Sequence, residues 1–357
     1  MDARYSRQLA LPGFGTEAQQ KLNHARVLVI GAGGLGSTVI PTLAGAGVGT
    51  IGIIDDDRVE LSNLHRQHVH TMADVGRSKT ESAAAMVAAL NPTTMVIART
   101  DRLTASNALQ IFADYDLVID GSDNFPTRYL ANDAAVLTGI PLVWGSVSQF
   151  GGQASVSGAG GPTYRDLFPT PPAPGTVVSC EAGGVLPTTV GVIGSIVAGE
   201  AIKLITGVGT PLIGRVTIYD GLAGSFRELD YAPDPTALPI TRLIDYDVFC
   251  GLSAISPAEL AARMFVDEPD EFTLLDVREP WESEIVSLPG SILIPLGILG
   301  EHLDALDPEL PVVVYCHHGV RSSSARLLLA DNGFSASHLA GGIDAWSRDV
   351  DPTLERY

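Results

Sequence analysis

The chain has 357 residues, 45% apolar and 6% aromatic, with 41 acidic against 22 basic side chains for a net charge of −19. That length suits two domains with well-buried α/β cores. The charge, concentrated in residues 255–357 with 18 acids and 6 bases, argues against nucleic-acid binding through a basic face.

Residues 1–25 read as a polar helical arm with no apolar signal core. A buried strand at 26–30 runs into a glycine loop at 31–36 and a helix over 37–46, and the next strand is 50–55. Helices at 80–90, 106–112 and 126–138 then alternate with strands at 95–98, 117–120 and 141–144. Such alternation predicts a mostly parallel sheet with helices on both faces, its ligand-binding loops on one rim. Residues 158–175 are rich in Gly and Pro and read as a long loop. A helix over 186–205 and a strand at 215–219 complete the first domain. The uncharged stretch 183–199 reads as a buried or subunit-interface helix and not a membrane span, because Pro187, Thr188 and Thr189 interrupt it and Glu200 and Lys203 follow. Domain boundaries are expected at 1–229 and 254–357. The linker between them, 230–253, carries Pro233, Pro235 and Pro239. Ser256-Pro257-Ala258-Glu259 opens the second domain as an N-cap, a first-turn proline and a capping-box Glu.

Gly31-Ala32-Gly33-Gly34-Leu35-Gly36 places G-x-G-x-x-G directly after a strand, and Asp55 ends the next strand. Glycines admit a phosphate to the backbone and the carboxylate takes a ribose hydroxyl, so this alone predicts a nucleotide, by default NAD. Further residues change that reading. Asn63, Arg66 and Gln67 would share one face of a short helix at i, i+3, i+4. Lys79, one of three lysines, sits at the start of a helix beside a Ser78/Glu81 capping box, where it is mildly unfavourable against the dipole. Neutralising phosphate explains it better than solvation does. Asp123 ends another strand on the same rim and is the candidate Mg²⁺ carboxylate, with Asp120 as competitor or helix cap. Cations and a Mg²⁺ carboxylate around a nucleotide indicate chemistry at phosphate and not hydride transfer.

In the second domain Cys316-His317-His318-Gly319-Val320-Arg321 follows an apolar strand and precedes a helix. Backbone N–H groups and the helix dipole at such a turn favour the thiolate. Four residues separate Cys316 from Arg321. A cysteine phosphatase loop has about five, enough to wrap a whole phosphate, whereas the shorter loop suits one extra sulfur atom. Three cysteines in all, Cys180, Cys250 and Cys316, form no disulfide framework. A reactive Cys316 fits a reducing, cytoplasmic setting.

Taken together, Arg4 to Gln8, the glycine loop, Leu61 to Gln67, Gly76 to Lys79, Asp120 to Asn124, Cys180 to Val185 and Gly191 to Ser195 resemble the MoeB/ThiF-type adenylyltransferases of ubiquitin-like sulfur carriers. The resemblance implies a Rossmann-like sheet of the ubiquitin-activating-enzyme type and ATP with Mg²⁺ as cofactors. It also implies attack of a carrier's Gly-Gly carboxylate on the α-phosphate. Under it Arg66 and Lys79 stabilise phosphate charge beside Asn63 and Gln67, with Gly31, Gly33, Gly34 and Gly36 at the nucleotide. Asp55 binds ribose, Asp123 holds Mg²⁺, and Arg7 reaches across a homodimer interface. Cys180 stands where some relatives link transiently to the carrier, with loop packing as the alternative. Many relatives carry two Cys-x-x-Cys pairs. Here those positions read Thr163-Tyr164-Arg165-Asp166 and Asp247-Val248-Phe249-Cys250, so no zinc site is expected.

Residues 255–357 resemble a single rhodanese domain through Leu274 to Glu279, Pro289 to Ile292, the cysteine loop and Ala340 to Trp346. The resemblance implies a smaller α/β sulfurtransferase domain with a persulfide on Cys316. His317 and His318 either tune its donor or line the loop. Asp276, Arg278 and Glu279 read as a brace. The expected partners are a carrier ending in Gly-Gly, a sulfur donor (cysteine desulfurase or thiosulfate) and a second copy of the chain, with no nucleic acid and no membrane. The pathway is expected to be that of the molybdenum cofactor or a related sulfur-containing cofactor. A non-catalytic carrier-binding platform and an NAD-dependent oxidoreductase are the alternatives.

Overall fold

The computed structural model of the chain describes residues 3–172, 183–250, 254–265 and 272–357. They fall into two compact units, 3–171 with 183–246 in one and 172 with 247–357 in the other. The described residues build one sheet in each unit.

In the first unit the apolar, β-branched runs Arg26–Ile30 (β1), Thr50–Ile54 (β2), Met95–Arg99 (β3), Leu117–Asp120 (β4) and Leu142–Ser148 (β5) pair in parallel. Gly151–Ser157 (β6), Arg215–Asp220 (β7) and Ser225–Asp230 (β8) add an antiparallel edge. The order β3-β2-β1-β4-β5-β6-β7-β8 reverses direction between β1 and β4. At such a reversal the loops leaving the two strands diverge and open a crevice at their carboxyl ends. The glycine loop leaves β1 there, and Gly121 to Asn124 leave β4.

Two of these strands were not legible in sequence. β6 opens on Gly151-Gly152, which supply no β propensity, and every residue of β8 is exposed, so no alternation marks it. The helix Pro187–Thr206 is the one described helix long and apolar enough to cross a membrane. It packs on the helix Gly34–Ala46, on β5 and on β6. Val190, Ile193, Val197, Ala198 and Ala201 enter the core there.

In the second unit Ala254–Ile255 (β9), Thr273–Asp276 (β10), Ile292–Leu293 (β11), Val312–Tyr315 (β12) and Ala336–Leu339 (β13) are all parallel, in the order β11-β10-β12-β13-β9. β12 is central and wholly buried, and its last residue precedes Cys316. The helix Pro257–Met264 opens with the expected capping box: Ser256 Oγ accepts from Glu259 N at 3.2 Å and Glu259 Oε2 accepts from Ser256 N at 2.7 Å. The corresponding box does not form at Ser78/Glu81. Ser78 Oγ bonds Thr80 Oγ1 at 2.9 Å instead.

Candidate active sites

The crevice of the first unit is built around Ala32. Its N–H donates to Asp55 Oδ2 at 2.7 Å and its carbonyl accepts from His70 Nε2 at 3.0 Å. Since a carbonyl only accepts, Nε2 carries the proton, and Nδ1 accepts from Ser82 Oγ at 2.8 Å. Burial pushes His70 below its ordinary range and keeps it neutral. One imidazole therefore ties the glycine loop to the helix Lys79–Leu90, which begins with the lysine. Gly36 closes the loop from the other side. A Cβ there would lie 2.2 Å from Gly31 O, closer than any side chain tolerates. Burial raises the Asp55 carboxyl, with Lys79 pulling the other way.

Lys79 is buried, and its Nζ bonds the exposed carboxylate of Asp57 at 2.6 Å. Gln67 is buried with its amide against Gly33, a Cβ on which would be 3.4 Å from Nε2, and its Oε1 has no hydrogen-bond partner. The single helical face expected for Asn63, Arg66 and Gln67 is not what forms. Leu61–Asn63 is one 3₁₀ turn, Asn63 Oδ1 folds back to accept from Glu60 N at 3.2 Å, and Arg66 is half-buried with Nη1 on Ser62 O at 3.2 Å. The backbone cap at Glu60 takes Asn63 Oδ1, while Nδ2 donates to Ser62 Oγ at 3.4 Å.

At the end of β4 the two aspartates separate by burial. Asp120 is fully buried. Its Oδ1 accepts from Ser122 N at 2.9 Å and Ser122 Oγ at 2.6 Å, and Oδ2 lies 3.6 Å from Arg128 Nε with neither atom hydrogen-bonded. Asp123 is exposed. Asp120 does not cap the next helix; Asn124 does, accepting from Thr127 N at 2.9 Å.

Arg7 is not at this rim. It is exposed on the short helix Ser6–Leu9, a segment anchored at the far ends of the two site helices. Gln8 Nε2 donates to Ala46 O at 3.0 Å, Arg4 Nη1 to Leu90 O at 2.5 Å, and Asn91 Nδ2 to Tyr5 OH at 2.9 Å. At about 1.5 Å per residue, helices of this length place the arm roughly 18–20 Å from the glycine loop and Lys79. Cys180 lies outside the described residues.

At the first Cys-x-x-Cys position Thr163 and Asp166 form a capping box, Asp166 Oδ2 accepting from Thr163 N at 2.6 Å and Oγ1 at 2.9 Å. Arg165 forks onto Asp133 with two bonds of 2.7 Å, and Tyr246 OH donates to the same carboxylate at 2.7 Å. Cys250 is buried.

In the second unit Cys316 is 1% exposed at the end of β12, and Gly319 N–H donates to its Sγ at 3.1 Å. The helix Val320–Asp331 starts just after Gly319, so its positive end faces the sulfur. Arg321 forks onto Glu282 at 2.5 and 2.7 Å and pulls that carboxyl down to about 2. Tyr357 OH donates to Glu282 Oε1 at 3.0 Å and accepts from Arg278 Nη1 at 2.8 Å. Arg278 and Asp276 form a fully buried forked pair, the expected brace. Behind the loop, Ile343 N donates to Cys316 O at 2.9 Å and Asp344 N to His317 O at 3.1 Å. This close approach explains Gly342: a Cβ there would meet His317 O at 2.3 Å. His317 and His318 stack at 3.8 Å and 20°, with Tyr357 on the other face of His317 at 4.2 Å. With Asp344 they bring three ligand atoms within 4.8 Å of one another. No ion can lie in both nearly parallel ring planes, and Asp344 already holds Arg356 at 2.8 Å. Sequence reasoning missed His70, Arg128, Asp57, Glu282 and His338, none of which carries a spacing signal, and assigned no role to Ser322, which directly follows Arg321.

A switch-point crevice that brings lysine and carboxylates to a glycine loop, beside a separate unit that offers a cysteine at a helix N-terminus, defines a class of two-domain enzymes pairing nucleotide chemistry with sulfur chemistry. The ThiF family model matches residues 5–239, and the rhodanese-like domain model matches residues 256–349. The chain is 48% identical to the probable adenylyltransferase/sulfurtransferase MoeZ of Mycobacterium tuberculosis, over 99% of this chain and 95% of that one. It is 42% identical to the adenylyltransferase and sulfurtransferase MOCS3 of Drosophila grimshawi, over 99% and 86%. It is 50% identical to a sulfur carrier protein adenylyltransferase of Thermus thermophilus, over 70% and 96%. The crystal structure of E. coli MccB with ATP shares the fold, with a TM-score of 0.59 at 21% identity over 66% of this chain and 74% of that one. The chain belongs to the ThiF family, carries a C-terminal rhodanese-like domain, and is an adenylyltransferase and sulfurtransferase.

Proposed function

We propose that the first unit adenylates the C-terminal Gly-Gly carboxylate of a ubiquitin-like sulfur carrier and that Cys316 then supplies sulfur to it, for the molybdenum cofactor or a related sulfur-containing cofactor. The observation that carries the reading is the convergence of Lys79, Asp55 and the glycine loop through His70 at the strand-order reversal. The carrier carboxylate attacks the α-phosphate of ATP, the bond to the β-phosphate breaks, and pyrophosphate leaves. Asp57 holds the Lys79 ammonium in place until the triphosphate takes over that charge. Gln67, with Oε1 unpaired, and Arg66 complete the polar wall. Asp123 is the exposed carboxylate at the rim and suits Mg²⁺, which keeps several waters and binds through one or two carboxylates. When bound, Mg²⁺ neutralises phosphate charge. Asp120, fully buried with Oδ1 on Ser122 and Oδ2 facing the Arg128 guanidinium, is less suited to that task.

Arg7 acts in a homodimer. Its own site is beyond its reach, so Arg7 serves the phosphates of a second copy of the chain. In the second unit Cys316 persulfide, charged by a cysteine desulfurase or by thiosulfate, attacks the acyl-adenylate and AMP leaves. A thiol, either Cys180 or an external one, then attacks Cys316 Sγ. The thiocarboxylate leaves, and a disulfide remains for a further thiol to reduce. No zinc is needed. Arg165, Asp133 and Tyr246 hold the segment that a thiolate-bound zinc would otherwise hold, and metal analysis of purified protein is expected to find zinc far below one per chain.

The test is ATP–pyrophosphate exchange with small ubiquitin-fold proteins ending in Gly-Gly, added one at a time. Exchange that depends on one carrier supports the reading and names its pathway. Absence of exchange with every carrier, from folded dimeric protein, sinks it.

A further inference from the structure

The loop around Cys316 contains a hydroxyl that the reaction as described does not use. Ser322 is fully buried, and its Oγ lies 3.5 Å from Cys316 Sγ, which is placed to donate to it. The single proton of Ser322 is donated to Gly319 O at 3.1 Å. Behind it stands His338 on β13, buried, with Nδ1 3.5 Å from Ser322 Oγ.

We propose that Ser322 is a catalytic hydrogen-bond donor to the sulfur of Cys316, switched by rotation of its hydroxyl, and that His338 is the positioning residue for that rotation. With Cys316 as a thiol, S–H donates to Ser322 Oγ and the hydroxyl proton rests on Gly319 O. When the thiol proton is lost to solvent, the hydroxyl swings its proton onto Sγ. The thiolate then has two donors, Ser322 O–H and Gly319 N–H. Gly319 O is not orphaned by the swing, because Ser323 N–H already donates to it at 3.1 Å. His338, as the Nδ1–H tautomer, donates into the lone pair that Ser322 Oγ turns away from the sulfur. The thiolate attacks the outer sulfur of the donor, a new S–S bond forms, and the donor's former partner departs with the electron pair (sulfite from thiosulfate, a thiolate from a protein persulfide).

His338 fits a donor's role and not a base's. Burial, aided by the Arg326 cation, pulls its pKa down to about 4, so it neither holds a second proton nor competes with Arg321 as a charge. The charged groups facing the sulfur are few. Arg321 is neutralised by Glu282 and Arg278 by Asp276, while Arg326 is buried on the helix Val320–Asp331 with Nε and Nη2 lacking partners. Beside the Gly319 N–H and the start of the helix Val320–Asp331, Ser322 brings a side-chain hydroxyl within hydrogen-bond distance of the sulfur. A hydrogen bond to an ionised group in a dry site is worth more than one between neutral groups.

The experiment follows alkylation of Cys316 by iodoacetamide from pH 5 to 9 in the full chain, with the Cys316 peptide quantified by mass spectrometry. It depends on neither ATP nor a carrier, so its outcome is independent of the adenylation reading. S322A is expected to slow alkylation about fivefold to tenfold at pH 6.5 and to move the profile's midpoint upward, leaving the alkaline plateau unchanged. S322T restores the wild-type profile. H338F moves the midpoint in the same direction by less, and H338N, whose amide N–H replaces Nδ1–H, brings it back. A profile for S322A that superimposes on wild type overturns the proposal. If S322A does not fold, H338F and H338N decide: indistinguishable profiles for these two overturn the role of His338 and the relay with it.

Discussion

The glycine loop after β1 and the cysteine loop after β12 are the same device, a strand running into a helix through a turn with exposed amides, used to opposite ends. The first stays open and collects its chemistry from afar: Asp55 follows β2, His70 and Gln67 come from the crossover, Lys79 begins another helix and Asp123 follows β4. The second is sealed around one sulfur and takes its first contacts from its own seven residues, with Ile343 and Asp344 fastening it from behind. A site that must hold a nucleotide and a protein tail needs many elements around an accessible space, whereas a site that must shelter a single reactive atom needs one loop and close packing.

The independence of the two sites can be broken in order of effect. Cys316→Ala removes the sulfur atom on which the proposed persulfide forms. Carrier thiocarboxylation is expected to fall to background while ATP–pyrophosphate exchange stays within about twofold. Thiocarboxylation continuing in that variant with thiosulfate as sole sulfur source would end the comparison. Asp123→Ala is the mirror experiment: exchange is expected to drop by about 10²–10³ with thiosulfate–cyanide sulfur transfer intact. Arg7→Ala is expected to lower exchange as well. Mixing it with Asp123→Ala chains and allowing subunits to re-assort should recover about a quarter of wild-type activity, because a mixed dimer keeps one complete site. No recovery from demonstrably mixed dimers would place Arg7 elsewhere.

Smaller effects concern the seal of the sulfur loop. Gly342→Ala must clear the 2.3 Å approach to His317 O and a φ of +63°. A cost of about 1–3 kcal/mol is expected in thermal unfolding of the second unit, with exchange by the first untouched. Acid should act on the same unit in two windows. The folded His338 pKa is depressed from 6.5 to about 4, so the unfolded chain binds more protons there and stability falls as pH drops between those values. The Glu282 pKa is depressed from 4.5 to about 2 by Arg321, so its contribution is complete above 4.5 and is lost as pH falls toward 2. Replacing His338 should flatten the upper window and leave the lower one.

This contrast also governs what the sequence disclosed. Cys316 to Arg321 could be read directly because the loop is contiguous, and Gly31 to Gly36 for the same reason. Lys79 was conspicuous as a lysine in the wrong place on a helix. Its partner Asp57 and the tether His70 were not, since one is an exposed aspartate among three and the other a lone histidine whose two bonds cross 38 and 12 residues. The spacing of Asn63, Arg66 and Gln67 assumed an α-helix, whereas the chain makes a 3₁₀ turn over Leu61–Asn63 and places Asn63 Oδ1 on the Glu60 N–H. β8 escaped because strand periodicity records burial, and this strand has none.

The junction of Asp133, Arg165 and Tyr246 carries a further consequence. A carboxylate, a guanidinium and a phenol joined by bonds of 2.7 Å contain nothing a chelator can extract and nothing a peroxide can oxidise. A zinc–thiolate clip answers to metal supply and redox balance, whereas these three side chains answer to proton and salt concentration.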